Sequence, residues 1–193
     1  MAEFEHACFI SYKHPPRTGR HFYREFVEAL KERLEYYLAA NIGTYVDFDA
    51  DPGSAYPQEL SRHLCKSVCL VAVLVPEYAD SDWCKAEWKA MEHLEEKRLG
   101  TSKGLIIPIV LKRTPAEWEA LYKRKPVDFS KVSIPGQLKS ATNSDKIKRI
   151  ADIINNYVGK VPDPCLDCTN FMLAVEEDKL SSPPTFADPD PFN

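Results

Sequence analysis

The sequence predicts an α/β fold in which helices cover both faces of a parallel sheet. Short runs of apolar, β-favouring residues alternate with longer segments whose apolar residues recur every three or four positions. This alternation is typical of a parallel sheet in which helices connect successive strands. Residues 68–75 are apolar without a break, as expected for a strand that is covered on both faces. With 193 residues, 44% of them hydrophobic, the chain can bury one sizeable core.

The first half of the chain is predicted to run strand, helix, strand, helix, strand. The first strand stops at a Lys-His-Pro-Pro turn, and the first helix carries Phe22, Phe26 and Leu30 on one face at four-residue spacing. The second strand leads into an Asp-Ala-Asp-Pro-Gly segment, whose residues favour turns. The predicted elements are residues 7–12, 20–38, 43–48, 57–66 and 68–75.

The second half repeats the alternation and ends in a helix. The predicted helix after the third strand begins at Asp80 or Ser81, either of which can cap it by accepting hydrogen bonds from its first backbone N–H groups. Pro108 indicates an edge strand, a bulge or special local geometry in the fourth strand, because proline has no N–H group to donate to a neighbouring strand. The predicted elements are helix 81–97, strand 104–111, short helix 115–125, a weak strand at 127–132 and helix 145–158.

The domain boundary is predicted at residue 158. Residues 159–193 hold six of the fifteen prolines and seven acidic residues against two lysines, whereas the rest of the chain is close to neutral. Residues 1–158 are therefore predicted to form one domain, followed by an acidic, proline-rich tail at 159–193 that is partly docked or disordered.

Charge and hydropathy exclude several classes of function. The longest apolar run has eight residues, against the roughly 20 needed to cross a bilayer, so no membrane partner is expected. The first residues carry Glu3 and Glu5 where a secretory signal has basic residues, which predicts a cytoplasmic protein. No basic stripe with interleaved aromatic residues is present, so nucleic acid is not an expected ligand.

Three of the six cysteines are predicted to be buried structural thiols, and none of the six is predicted to be a metal ligand. Cys8, Cys65 and Cys69 lie in or beside apolar segments, where a free thiol packs as a small hydrophobic group. Cys165 and Cys168 form a CxxC pair, but a tetrahedral zinc site needs four ligands and no second pair follows. The sequence therefore predicts no metal site.

The functional site is expected at the carboxyl ends of the strands, where open parallel sheets bind their ligands. In the helix after the third strand, a stripe that starts at Trp83 places Glu87 on the buried face. A buried carboxylate is costly unless it has partners, faces a cleft or takes up a proton. The residues alone leave two interpretations open, a structural Glu satisfied by its neighbours and a ligand-binding Glu. Trp83, one turn earlier, favours the second, because an aromatic wall suits a flat heterocycle.

Three segments resemble the Toll/interleukin-1 receptor (TIR) domain family. Residues 7–12, ACFISY, resemble its first conserved box, and residues 44–53 resemble its second strand and the following BB loop. Residues 81–88, SDWCKAEW, resemble the motif around the catalytic Glu of NAD-cleaving TIR domains, and the resemblance is to the prokaryotic-type branch. The resemblance covers roughly residues 5–158 and lacks the Phe-Trp box near the domain's end. It implies a flavodoxin-like, doubly wound, five-stranded parallel sheet flanked by helices.

The resemblance implies an enzyme that cleaves the nicotinamide–ribose bond of NAD+, with Glu87 as the catalytic residue. NAD+ is then a substrate and no cofactor is expected, in keeping with the absence of the GxGxxG and GxxxxGK[ST] motifs. The implied products are nicotinamide and ADP-ribose, a cyclic ADP-ribose isomer or a related signal. The implied partners are other TIR domains and an effector that responds to the product in immune or antiphage signalling. The substrate-binding candidates are Phe9, Ser11, Tyr12, Lys13, Asp47 and Trp83.

The main alternative is a non-catalytic adaptor that signals through TIR–TIR association. Adaptors have no need for a carboxylate at position 87, so Glu87 together with Trp83 favours the enzyme. A response-regulator-like domain would need an acidic cluster after the first strand, and residues 7–14 contain none.

Overall fold

The computed structural model describes residues 4–13, 22–39, 42–46, 56–100, 104–112, 124–162 and 168. Within these ranges the chain forms five strands, four α-helices and two short 3-10 helices. The elements are β1 (His6–Tyr12), α1 (Phe22–Tyr37), β2 (Thr44–Val46), α2 (Tyr56–Cys65), β3 (Ser67–Leu74), a 3-10 helix (Pro76–Tyr78), α3 (Asp82–Leu99), β4 (Ile106–Val110), β5 (Val127–Asp128), a second 3-10 helix (Pro135–Lys139) and α4 (Ala141–Val158).

The five strands form one parallel sheet in the order β2-β1-β3-β4-β5. This is the strand order of the flavodoxin-like doubly wound fold, and it confirms the predicted fold class. The chain moves one way along the sheet from β1 to β2 and the other way from β3 to β5. Because such crossovers are right-handed, this reversal places helices on both faces of the sheet.

The core lies on both sides of the two central strands. Every residue of β3 is buried, and so is every residue of β1 after His6, as the unbroken apolar run predicted. α1 packs against α4, while α2 packs against α3. Among the helices described, none has an apolar stretch long enough to cross a membrane.

Several element boundaries differ from the prediction for local reasons. α4 begins at Ala141, four residues before the predicted start at 145, because Ser140 caps it by accepting a hydrogen bond from the Asn143 N–H at 3.4 Å. β5 is shorter than the predicted 127–132, because Asp128 Oδ1 accepts from the Ser130 N–H at 2.8 Å and turns the chain. The predicted helix at 115–125 lies almost wholly outside the described residues.

The prediction of buried free thiols is right for two cysteines and wrong for a third. Burial raises the pKa of Cys8 well above its usual value and that of Cys69 to about 12, so both stay protonated. Cys65 is buried but forms a disulfide with Cys168. These residues are 103 positions apart, and no local pattern shows that the chain brings them together. Cys168 is therefore not available as a thiol of the CxxC pair, and Cys165 lies outside the described residues.

Candidate functional site

Helix α3 carries the candidate catalytic carboxylate on its inward face. Ser81, one of the two predicted caps, accepts a hydrogen bond from the Cys84 N–H at 3.4 Å and so sets where the helix starts. Gly100 ends the helix in the left-handed conformation, with φ of 62°. Between these ends Glu87 falls on the buried side and is only 3% exposed. The predicted inward position of Glu87 is confirmed.

Glu87 is held by a hydroxyl group at the carboxyl end of the central strand β1. Ser11 Oγ donates to Glu87 Oε2 at 2.5 Å and lies 2.8 Å from the Tyr78 hydroxyl. Since the proton of Ser11 goes to Glu87, Tyr78 is the donor in the second contact. The result is a buried chain from Tyr78 to Ser11 to Glu87, which orients the carboxylate and partly compensates its desolvation.

Tyr78 is a site residue that the sequence prediction missed. It belongs to the 3-10 helix that follows β3 and is fully buried. Its hydroxyl also lies 3.5 Å from the Cys84 carbonyl oxygen at the start of α3. A signal was available, because the segment after the third strand was expected to border the ligand crevice and Tyr78 is the aromatic residue within it.

Trp83 lies beside the inward stripe of α3 and not at its centre. Trp83 is half-buried and packs against the edge of the core, whereas eight residues of α3 are buried: Cys84, Ala86, Glu87, Trp88, Met91, Leu94, Glu95 and Arg98. Each residue of a helix turns about 100°, so Trp83 is offset from Glu87 by roughly 40°. A half-buried ring one turn away is placed to flank a ligand, and that role stays a prediction.

The other predicted binding residues do not all lie on the face of the sheet that carries Ser11. Phe9 is buried on β1 with its ring centroid 5.2 Å from that of Tyr45. Strand alternation puts Phe9 and Ser11 on one face of the sheet and Tyr12 on the other. Lys13 follows β1 and is half-buried. Asp47 lies outside the described residues, so its role stays a prediction.

Replacing Ser11 with alanine should destabilise the domain. The substitution removes a hydrogen bond to a buried carboxylate, which typically contributes about 1.5–3 kcal/mol. Tyr78→Phe removes only the outer hydroxyl and should cost about 0.5–1.5 kcal/mol. Urea unfolding gives both values, and equal stability of wild type and Ser11→Ala would contradict the hydrogen-bonded chain.

The fold and the site together define an α/β domain with a buried carboxylate at the carboxyl end of its parallel sheet. The protein-family model described as TIR domain matches residues 8–141, so the chain belongs to the TIR domain family. A comparison with curated proteins finds no match. One similar solved chain comes from a structure described as the activated Roq1 resistosome directly recognizing the pathogen effector XopQ (TIR domains). It is 19% identical, with 79% of this chain and 82% of that chain covered and a TM-score of 0.43.

Proposed function

We propose that this TIR domain cleaves NAD+ at the bond between nicotinamide and ribose, with Glu87 as the catalytic residue. The observation that carries the proposal is the buried Glu87 carboxylate, oriented by Ser11 at the carboxyl end of β1. Doubly wound sheets bind ligands at this end. Trp83 is on the same helix, one turn earlier, and would contact the nicotinamide ring or its ribose.

One carboxylate is sufficient for this reaction although most glycoside hydrolases use two. Nicotinamide leaves a cationic pyridinium as a neutral molecule, so the leaving group needs no proton from a general acid. The bond breaks with both electrons going to the ring nitrogen, and positive charge develops on the ribose. The negative charge of Glu87 stabilises that charge, and its oxygens hold the ribose hydroxyls.

Ser11 and Tyr78 contribute by holding the carboxylate. A group that is fixed before the reaction does not have to reorganise as charge develops, which is the main source of electrostatic catalysis. Water attack on the ribosyl cation gives ADP-ribose, and attack by a nitrogen of the same molecule's adenine gives a cyclic isomer. We propose that the product serves as a signal to an effector in immune or antiphage defence, in the cytoplasm.

The burial of Glu87 bears on how the site is activated. At 3% exposure, with Ser11 on one oxygen, the carboxylate must gain access to a ribose before it can act. We propose that self-association of TIR domains opens and completes the pocket. The same burial favours a second candidate function, a non-catalytic adaptor in which Glu87 only joins α3 to β1.

The proposal is tested by following nicotinamide release from NAD+ by chromatography. The full chain is assayed over a range of concentrations and after fusion to an oligomerising scaffold. We expect release that rises more steeply than protein concentration and that is highest for the fused form. A folded, clustered chain that releases no nicotinamide would overturn the enzyme proposal and favour the adaptor.

A further inference from the structure

A second group of chemically active side chains lies at the opposite end of β1 from Ser11 and Glu87. His6 is the first residue of β1, Glu5 precedes it, and His63 is in the last turn of α2. One ligand atom from each of the three lies within 4.8 Å of the other two. The proposed NAD+ chemistry uses none of them.

The two imidazole rings face each other through nitrogen atoms. His6 Nε2 lies 2.8 Å from His63 Nδ1. Two nitrogen ligands of a tetrahedral Zn²⁺ ion, each at 2.0–2.1 Å, are about 3.3 Å apart. A small rotation of one ring therefore converts this pair into two metal ligands.

Packing holds the rings in this arrangement. The ring of Tyr45, which is buried in β2, stacks on that of His63 with centroids 4.0 Å apart and planes 13° from parallel. The His6 ring lies 5.3 Å from the same tyrosine. The His63 side chain is 12% exposed. The nitrogen pair is thus preorganised at the surface end of a rigid strand and helix.

The proton positions are also compatible with a metal. Arginine can only donate, so Arg62 Nη2 at 3.3 Å from His63 Nε2 places the His63 proton on Nδ1, where it is donated to His6. On metal binding this proton moves to Nε2, and both imidazoles stay neutral. His63 Nε2 lies 3.8 Å from the carboxylate of Glu59, which can accept a hydrogen bond from that proton after a small approach. A carboxylate behind a ligating histidine is the usual support for a zinc ligand.

We propose that Glu5, His6 and His63 bind one Zn²⁺ ion, with His6 Nε2, His63 Nδ1 and a Glu5 oxygen as ligands and water as the fourth. Nitrogen ligands with one carboxylate suit Zn²⁺ over the hard cations Mg²⁺ and Ca²⁺. Glu5 now lies 3.5 Å from Arg62, whose side chain is 54% exposed. Arg62 contacts both Glu5 and His63 Nε2, so it competes with the ion for Glu5 and disfavours the His63 tautomer that carries its proton on Nε2. Because the Arg62 side chain is exposed, it can move into solvent when the ion binds.

The proposal is tested by titrating the full chain, without added reductant or chelator, with ZnCl₂ in a calorimeter. Co²⁺ serves as a spectroscopic probe of the same site. We expect one ion per chain and a Co²⁺ spectrum of nitrogen and oxygen ligation with no thiolate band. His6→Asn and His63→Asn should each weaken Zn²⁺ binding by more than about 10-fold, since even loss of a supporting group around a metal ligand costs about 10- to 100-fold.

Three further variants make the outcome decisive. Arg62→Gln should tighten Zn²⁺ binding, a change that no loss of folding can mimic. Glu5→Gln should weaken it, and His93→Asn, on an exposed position of α3, should leave it unchanged. Wild-type protein that binds no Zn²⁺, binding that is the same in folded His6→Asn, or a thiolate band with Co²⁺ would overturn the proposal. Nicotinamide release plays no part in these measurements, so this site and the NAD+ site are tested separately.

Discussion

Glu87→Gln is expected to lower the rate of NAD+ cleavage by about 100- to 1,000-fold, the range typical for removal of one preorganised electrostatic group. Glutamine has nearly the same shape and can still accept the Ser11 hydrogen bond. The substitution therefore removes the negative charge that supports the ribosyl cation and leaves the packing of α3 intact. The measurement is the initial rate of nicotinamide release by the clustered protein.

The matched control for this substitution is Glu96→Gln, which neutralises an exposed carboxylate on the same helix and should keep wild-type turnover. Urea unfolding of Glu87→Gln separates the two candidate functions. A catalytic Glu87 is buried at a desolvation cost, so neutralising it should leave stability unchanged or higher while turnover falls. Lower stability with unaltered turnover would contradict catalysis and identify Glu87 as a structural residue.

Glu95→Ala should lower the free energy of unfolding by about 3–5 kcal/mol, as expected when one partner of a buried ion pair is removed. Glu95 is completely buried on α3. Its carboxylate accepts two hydrogen bonds from Arg124, at 2.8 and 2.6 Å. It also accepts from the backbone N–H groups of Leu105 at 2.5 Å and Ile106 at 3.3 Å. Alanine would leave the buried arginine and both N–H groups without this acceptor.

Two related variants calibrate the Glu95 result, again by urea unfolding. Glu92→Ala removes an exposed carboxylate 3.8 Å from the same arginine and should cost no more than about 1 kcal/mol. The double variant Glu95→Leu, Arg124→Met leaves no unpaired arginine charge in the core, but the N–H groups of Leu105 and Ile106 still lose the Glu95 acceptor. Its stability should fall between those of Glu95→Ala and wild type. A Glu95→Ala loss as small as that of Glu92→Ala would contradict the account.

The order and type of the five described strands and four described α-helices could be predicted because each follows from local patterns, whereas the two 3-10 helices were not predicted. The apolar run at 68–75 became the central strand β3, and the four-residue spacing from Phe22 became α1. Boundaries were less accurate where one side chain decides them. Ser140 starts α4 early and Asp128 ends β5 early, and each does so through a single hydrogen bond that periodicity does not contain.

The candidate site was predictable only in part for a similar reason. The inward position of Glu87 follows from its spacing along α3, and Ser11 follows from its place at the end of β1. Tyr78 was missed, because its link to Ser11 joins positions 67 residues apart. Trp83 was placed on the inward stripe, while the structure centres that stripe on Cys84 and Trp88.

The sequence by itself determined the alternation of strands and helices, the apolar face of each helix and the position of Glu87 on a buried face. These properties depend on neighbours within a few residues, so the periodicity of the chain is enough to define them. The tertiary structure alone decided which distant groups meet: Cys65 with Cys168, Tyr78 with Ser11 and Glu87, and His6 with His63. Such contacts depend on strand order and register, which bring together side chains far apart in the chain, and both proposed sites are built from these contacts.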